Sequence, residues 1–535
     1  MWAINISFRN RLFLFITSKM ERGKENGKQS KTFFPLFLIF MGAITFSLGC
    51  GEDRHTKHIG SKHRSSILRI AVGRDLYEGP DSRSYVHGSV NAWESLTYLN
   101  ERLHPEGWLA ELWQMENEGR KWVFHLREGV HFHDSTPLTP EAVVANISRY
   151  KNNPKYDPHG LYQNLQSIQP LGKRGVVFHL NSPQPNFPAS INYFGSAIFH
   201  PDSFDSKNQF VKFIATGPYR FETNKDGILR LKAHSAYWQG KPFFERVEFW
   251  YIPDAATRLD ALKAGQVDAI VDVGGILPNQ LPDLRRSRHI LVKKREVATT
   301  HYLLFNPQRI PFKDISNRKW VCDTLNRFEL VKHILGEAGL PAESLLTPLA
   351  TDWYERNYPQ RPTSSAPYPS LSRREVSILL HAGTLQRWPY KEMAEIIHAH
   401  LHQAGLKVKI RIEEAGLFRE SLKKGDFDLV LHPFTLMTGE PDIFFNWLMM
   451  VSPETLGIEM RKMRSKISKA RTLLDKEERK NIYHQLQRWV SDNYLILPLY
   501  HDVTFYAHRD HLHGLEIDAF FRPNLIKVKT NEDIP

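Results

Sequence analysis

The stretch Val247-Glu248-Phe249-Trp250-Tyr251-Ile252-Pro253-Asp254-Ala255-Ala256-Thr257-Arg258-Leu259-Asp260-Ala261-Leu262-Lys263-Ala264-Gly265-Gln266-Val267-Asp268-Ala269-Ile270-Val271-Asp272-Val273 decides the fold class. Val247 to Ile252 reads as a strand. Asp254 stands where a side chain accepts from the first free N–H groups of a helix. Ala255, Leu259 and Leu262 recur at helical spacing behind it, and Gly265 closes the helix. Val267 to Val273 then reads as a second strand. Strand, helix, strand in this order predicts a βαβ unit in a partly parallel sheet, an α/β protein.

The same style extends in both directions. Upstream, Ile67 to Gly73 alternates apolar and polar residues as a first strand, and Trp122 to Phe132 holds two short strand-like runs around a turn at Glu128-Gly129. Thr139 caps a helix that has Pro140 at its first position and runs to about Tyr150. Val176 to Leu180 is a strand, and turn residues at 216–221 open a hairpin that continues through Leu231. Downstream, Val376 to Leu380, Lys407 to Ile412 and Phe427 to His432 read as strands. Tyr390 to Ala404 and residues 475–494 read as amphipathic helices. The stretch from Leu340 to Ser372, rich in Pro, Ser and Tyr, is a loop, and Tyr494 to Ala507 closes the chain as one or two buried strands. With 535 residues the chain predicts two or three domains with mixed sheets.

Lys plus Arg number 71 against 58 acids, a formal charge of +13. Seven bases and two acids lie in the stretch that ends at Cys50, so the rest of the chain carries 13 − 5 = +8. That excess is diffuse. No block of five or six like charges and no basic helix interleaved with aromatics occurs, so nucleic acid is not an expected partner. The two cysteines, Cys50 and Cys322, exclude a disulfide framework.

From Met20 the order is basic (Arg22, Lys24, Lys28, Lys31), apolar (Phe33 to Phe46) and small (Ser47-Leu48-Gly49-Cys50), the layout of a secretory signal. The apolar run falls short of the roughly 20 residues that span a bilayer. Gly49-Cys50 resembles a bacterial lipobox, with Leu48 displaced by one place from its usual position. Residues 1–50 are therefore expected to be a signal peptide with Cys50 as the lipid attachment site, and 51–66 a flexible tether containing His55, His58 and His63.

The sequence holds no G-x-S-x-G, no H-E-x-x-H and no G-x-x-x-x-G-K-[ST]. No cysteine pair is available for zinc, and His398 and His402 lie on a helix face that solvent accounts for. No pair of carboxylates is marked as acid and base, so neither catalysis, a resident metal nor a cofactor is expected.

Several of these stretches resemble, in order, the family 5 extracellular solute-binding proteins, the peptide and nickel-complex receptors of bacterial ABC importers. The match runs through Trp108 to Trp113, Lys121 to Asp134, Leu138 to Asn146, Ala215 to Phe221, Tyr237 to Pro242, Ile252 to Arg258 and Ala264 to Asp268. It continues in Leu304-Phe305-Asn306, Arg318 and Gly439 to Phe445, and covers about 67–525. The resemblance implies a periplasmic-binding-protein type II clamp of two lobes with an additional domain. Domain I comprises 67–103, 216–297 and 500–535, domain II 104–215, and domain III 298–499. It implies a monomer that captures peptide between domains I and III by hinge closure and hands it to permease and ATPase subunits. The setting is periplasmic or cell-surface, with a lipid on Cys50 holding the protein to the membrane. The alternatives of the same family are a nickel- or metal-chelate receptor and a ligand-sensing co-receptor.

In peptide receptors of this family an Asp shortly before a G-D-P-D run holds the ligand's ammonium. This chain has Leu436-Met437-Thr438 there. His432 matches a His of the nickel-complex receptors, but Phe434 and Thr435 stand where those have Trp. Neither specificity transfers intact. The ligand-binding candidates are Tyr77 and Trp93 after the first strand, Arg149 late on the helix that follows Thr139, His432 and Phe434, Met437, Glu440 and Asp442, and Tyr500 on the returning strand. Glu440 and Asp442 are equally placed to cap the next helix, Met437 to pack beneath its loop, and Arg149 to serve as a carboxylate fork or a structural cation.

Overall fold

The computed structural model describes residues 67–76, 91–151, 153, 157, 160–192, 196–358 and 375–531. The expected signal peptide with Cys50, the expected tether, Tyr77 and the end of the Pro-rich loop lie outside the described residues.

In chain order the elements that matter are β1 (Ile67–Val72), β2 (Ala110–Glu116), β3 (Lys121–Leu126), α1 (Pro140–Tyr150), β4 (Leu165–Leu171), β5 (Gly175–Leu180), β6 (Tyr219–Lys225), β7 (Ile228–Ala233), β8 (Arg246–Tyr251), α2 (Ala255–Lys263), β9 (Ala269–Ile270) and β10 (Ile290–Phe305). There follow β11 (Glu375–His381), α3 (Tyr390–Gln403), β12 (Lys407–Glu413), β13 (Leu429–Thr435), α4 (Pro441–Val451), α5 (Lys476–Asp492) and β14 (Ile496–Arg509). The helix starts follow the sequence: Thr139 Oγ1 accepts from Ala142 N at 3.3 Å, Asp254 Oδ1 from Thr257 N at 2.8 Å and Asp475 Oδ1 from Glu478 N at 2.7 Å.

One sheet runs in the order β12-β11-β13-β10-β14-β9-β1-β8-β7-β6. β8, β1 and β9 are parallel, so β8-α2-β9 is a crossover unit that straddles β1. β12, β11 and β13 form a second parallel set. Between the two sets run β10 and β14, 16 and 14 residues long and antiparallel to each other. Their ladder breaks between Glu296 and Thr300. Inside the break Ala298 N donates to Ala519 O, and Ala298 O accepts from Leu436 N, both at 2.8 Å. A continuous apolar core extends from Ala71, Leu262 and Ile270 through Leu303 and Leu304 to Leu379, Leu431 and Leu486. A separate four-stranded antiparallel sheet, β2-β3-β5-β4, has its own core around Phe124, Phe178 and Ile147 of α1.

Three local expectations need correction. The stretch 267–273 is a strand only at Ala269–Ile270. Asp268 Oδ2 accepts Arg69 N at 2.8 Å and Asp272 Oδ2 accepts Gly73 N at 3.0 Å, so side chains replace the ladder at both ends. The second run at 130–132 is no strand, because Phe132 N turns back onto Thr136 O at 2.8 Å and only His131 bridges, to Pro137. The strand expected over 427–432 instead covers Leu429–Thr435, since it pairs along Thr299 to Phe305 of β10.

Candidate ligand-binding site

In open α/β sheets the space outside the carboxyl ends of parallel strands is where loops diverge and ligands fit. Here there are two such edges. β1, β8 and β9 end at Val72, Tyr251 and Ile270, while β11, β12 and β13 end at His381, Glu413 and Thr435. The loops that leave these edges touch. A Cβ on Gly274 would lie 2.6 Å from Arg387 O, one on Gly439 would overlap the Leu103 carbonyl, and Asn192 Nδ2 donates to Met437 O at 3.4 Å.

The first edge is held by two internal ion and hydrogen-bond clasps. Asp272 meets Arg74 Nε at 2.8 Å and accepts Gly73 N and Val273 N at 3.0 and 2.7 Å. Arg258 on α2, 1% exposed, donates from NH1 to Ile252 O (2.7 Å) and Pro253 O (2.9 Å), from Nε to Gly275 O and from NH2 to Gly274 O (both 3.1 Å). One rigid guanidinium thus fixes the loop after β8 and the loop after β9 together.

The second edge is backed by a buried aromatic and imidazole cluster. His301 on β10 stacks on Tyr500 of β14, centroids 4.0 Å apart and planes 5° from parallel. Its Nδ1 is 2.6 Å from the Tyr390 hydroxyl and its Nε2 is 3.5 Å from Asp502, which also accepts Trp388 Nε1 at 3.0 Å. Burial holds His301 below the usual imidazole range, so the ring is neutral between the Tyr390 hydroxyl and the Asp502 carboxylate. His432 lies on the same side, its ring against Phe418 and Trp447 and its Nδ1–H donating to Pro433 O at 2.6 Å; burial pushes its pKa down to about 4.

The sequence candidates separate into groups. His432 and Met437 belong to β13 and the loop that leaves it, with Met437 half-buried, and Tyr500 is buried behind His301. Phe434 packs inward on Phe444 and Trp447 at 5.5 and 4.8 Å. Glu440 occupies the N-cap position of α4 without a side-chain capping bond, and Asp442 pairs with Arg471 at 3.3 Å. Trp93 sits in a buried cluster with Phe199 and Phe204 and borders a cavity of about 620 Å³ beside Glu94 and Tyr98. Arg149 lies with its guanidinium over the Phe204 ring, 3.3 Å from the centroid. Sequence reasoning passed over Arg74, Asp272, His301, Arg387, Trp388 and Asp502. Arg74 directly follows the first strand, and Gln386-Arg387-Trp388-Pro389 directly precedes a helix; both were signals of edge loops.

The buried histidines make stability pH-dependent. His133 and His501, each with its pKa pushed down to about 3 by burial, refuse a proton that the unfolded chain takes up below about pH 6.5. Their share of the stability is therefore level above pH 6.5 and falls as pH drops toward 3, while buried Glu440, its carboxyl pushed up to about 8, contributes the opposite slope. Between pH 7.5 and 5.0 each such histidine should contribute a loss of about 2 kcal/mol, read from urea unfolding as the difference between the parent and a variant lacking it. His501→Gln should remove about that share of the slope, and an unchanged slope would refute the assignment.

Comparison with known proteins agrees with this architecture. Residues 104–453 match the family model "Bacterial extracellular solute-binding proteins, family 5 Middle". The chain is 25% identical over 449 residues to the dipeptide-binding protein of Escherichia coli (strain K12), spanning 77% of this chain and 83% of that protein. Among solved structures, the DppA periplasmic binding protein of Helicobacter pylori in complex with peptide STSA superposes with a TM-score of 0.72 at 21% identity, covering 87% of this chain and 98% of that one. NikA from Brucella suis in complex with Fe(III)-EDTA gives 0.76 at 20%, covering 86% and 100%. With type II binding proteins as its structural neighbours and the family model matching well over half its length, the chain belongs to the family 5 bacterial extracellular solute-binding proteins.

Proposed function

We propose that this protein is the substrate-binding component of an ABC importer, capturing peptides between two lobes and delivering them to a membrane permease. The observation that carries the reading is the meeting of two parallel-strand edges across only two shared strands, β10 and β14. Such strands can twist at the break between Glu296 and Thr300 while each edge stays rigid, which is what hinge closure requires. The lobes are domain I, 67–103 with 216–297 and 500–535, and domain III, 298–499; domain II, 104–215, carries the four-stranded sheet. Peptide is favoured by the dipeptide-binding relative, which is matched over most of its length. Among the described residues no helix is long and apolar enough to cross a membrane, and attachment through a lipid on Cys50 is part of the proposal, supported by the Gly49-Cys50 that ends the apolar run. Closure only signals to a permease if ligand favours the closed state, and the protein has no enzymatic step to perform.

Where peptide relatives place an acidic anchor, Met437 offers a polarisable apolar contact. Native mass spectrometry of the unrefolded full-length protein, followed by denaturation, should release short peptides. Met437→Asp should then tighten binding of free-amine dipeptides by roughly tenfold, the worth of one charge-assisted hydrogen bond. Release of a metal chelate in place of peptides would overturn the reading.

A further inference from the structure

Beyond the strand edges, on the other side of the Leu103 and Gly439 contact, lies a crevice of about 260 Å³. Its walls come from 102–105, Trp113, Trp122, 185–186 and 188–189 on one side and from Ala350, 352–353, 439–440, Lys476 and Arg479 on the other. We propose that this crevice binds a compact monocarboxylate, gripped by the Arg479 guanidinium and the Trp122 indole N–H.

Arg479 is only 7% exposed, yet its Nε and NH1 have no hydrogen-bond partner among the described residues. Its face rests on the Trp353 ring, 5.2 Å from the centroid, which leaves the donor edge available. Trp122 is 5% exposed, and its Nε1 is likewise buried and unpartnered among the described residues. A buried guanidinium without an acceptor is costly, whereas a carboxylate matches its two-pronged edge.

The neighbouring acids do not supply that acceptor. Asp352 is held by Lys476 and His104, at 2.8 Å each, and Asp442 by Arg471. Glu440 makes no ion pair with Arg479 within 4 Å, and its buried Oε2 is unpartnered among the described residues. Burial pushes Glu440 up to about 8, so near neutrality it is an uncharged acid that donates an O–H and does not repel an anion. Arg102, Lys476 and Arg479 outnumber the two carboxyl groups, Asp352 and Glu440, that line this space, and Trp113 and Trp122 offer apolar surface to a short carbon chain.

The test is calorimetry and tryptophan fluorescence of the full-length protein titrated with sodium isobutyrate, with sodium chloride and isobutyramide as controls. Isobutyrate should bind saturably with a Kd of about 1 mM, and isobutyramide at least tenfold more weakly. Arg479→Met should weaken isobutyrate by roughly tenfold or more, and Trp122→Phe, which keeps an aromatic filler and removes one donor, by about threefold to tenfold. Should Arg479→Met fail to fold, the amide control and Trp122→Phe decide. No saturable signal below about 50 mM, or equal binding of acid and amide, would overturn the site.

Discussion

Arg258→Met is expected to lower the free energy of unfolding by about 3–5 kcal/mol and to weaken ligand binding at the same time. The side chain is 1% exposed and donates to four backbone carbonyls, Ile252, Pro253, Gly274 and Gly275. Methionine fills much of the volume and satisfies none of them, leaving buried acceptors that must find water or shift. Two of the four, Gly274 and Gly275, lie in the loop that meets Arg387, so the disturbance reaches the cleft directly. Urea unfolding checks the stability term, and titration with the ligand recovered from the native protein checks the second. Arg258→Lys should recover little, because one ammonium cannot span carbonyls on two loops. A loss below about 1 kcal/mol would show that the loops hold themselves.

Gly274→Ala should separate affinity from stability. Gly274 has φ +64°, a conformation that costs a residue with a Cβ about 1 kcal/mol, a modest change in unfolding. The larger effect is steric. The new Cβ would stand 2.6 Å from Arg387 O and 2.7 Å from Arg387 Cα, backbone atoms that cannot move aside without separating the two edges. Ligand affinity is expected to fall by roughly 30-fold or more, since binding energy must first be spent on an approach that the protein now resists. Small-angle scattering would report a ligand-saturated variant that stays as extended as the free protein. Affinity within about twofold of the parent would mean that ligand is held without the Gly274 and Arg387 approach.

Much of the fold was legible because its signals are local. Thr139-Pro140, Asp254 and Asp475 announce helices, and the alternation of Ile67 to Val72 announces a strand. What escaped depends on partners far along the chain. Ile290–Phe305 is interrupted by Lys293-Lys294-Arg295-Glu296, a polar run that conceals a strand, because the pairing of this part comes from Val503 to Arg509 more than 200 residues later. The candidate site follows the same rule. His432 and Met437 were visible through a resemblance tied to adjacent residues, while Arg74 with Asp272 and His301 with Asp502 are pairs separated by about 200 positions that no local pattern joins.

The path of β14 also dictates an order of assembly. It lies between β10 and β9, and Arg509 N donates to Asp268 O at 2.9 Å, so the sheet around β1 stays open until the chain has been made to about residue 509. The segment 298–499, by contrast, holds β11, β12 and β13 together as a contiguous piece. The half that leaves the ribosome first is therefore the last to be sealed. An unpaired edge at β9 persists through synthesis, and a chain stopped short of β14 would present that edge to any other strand it met.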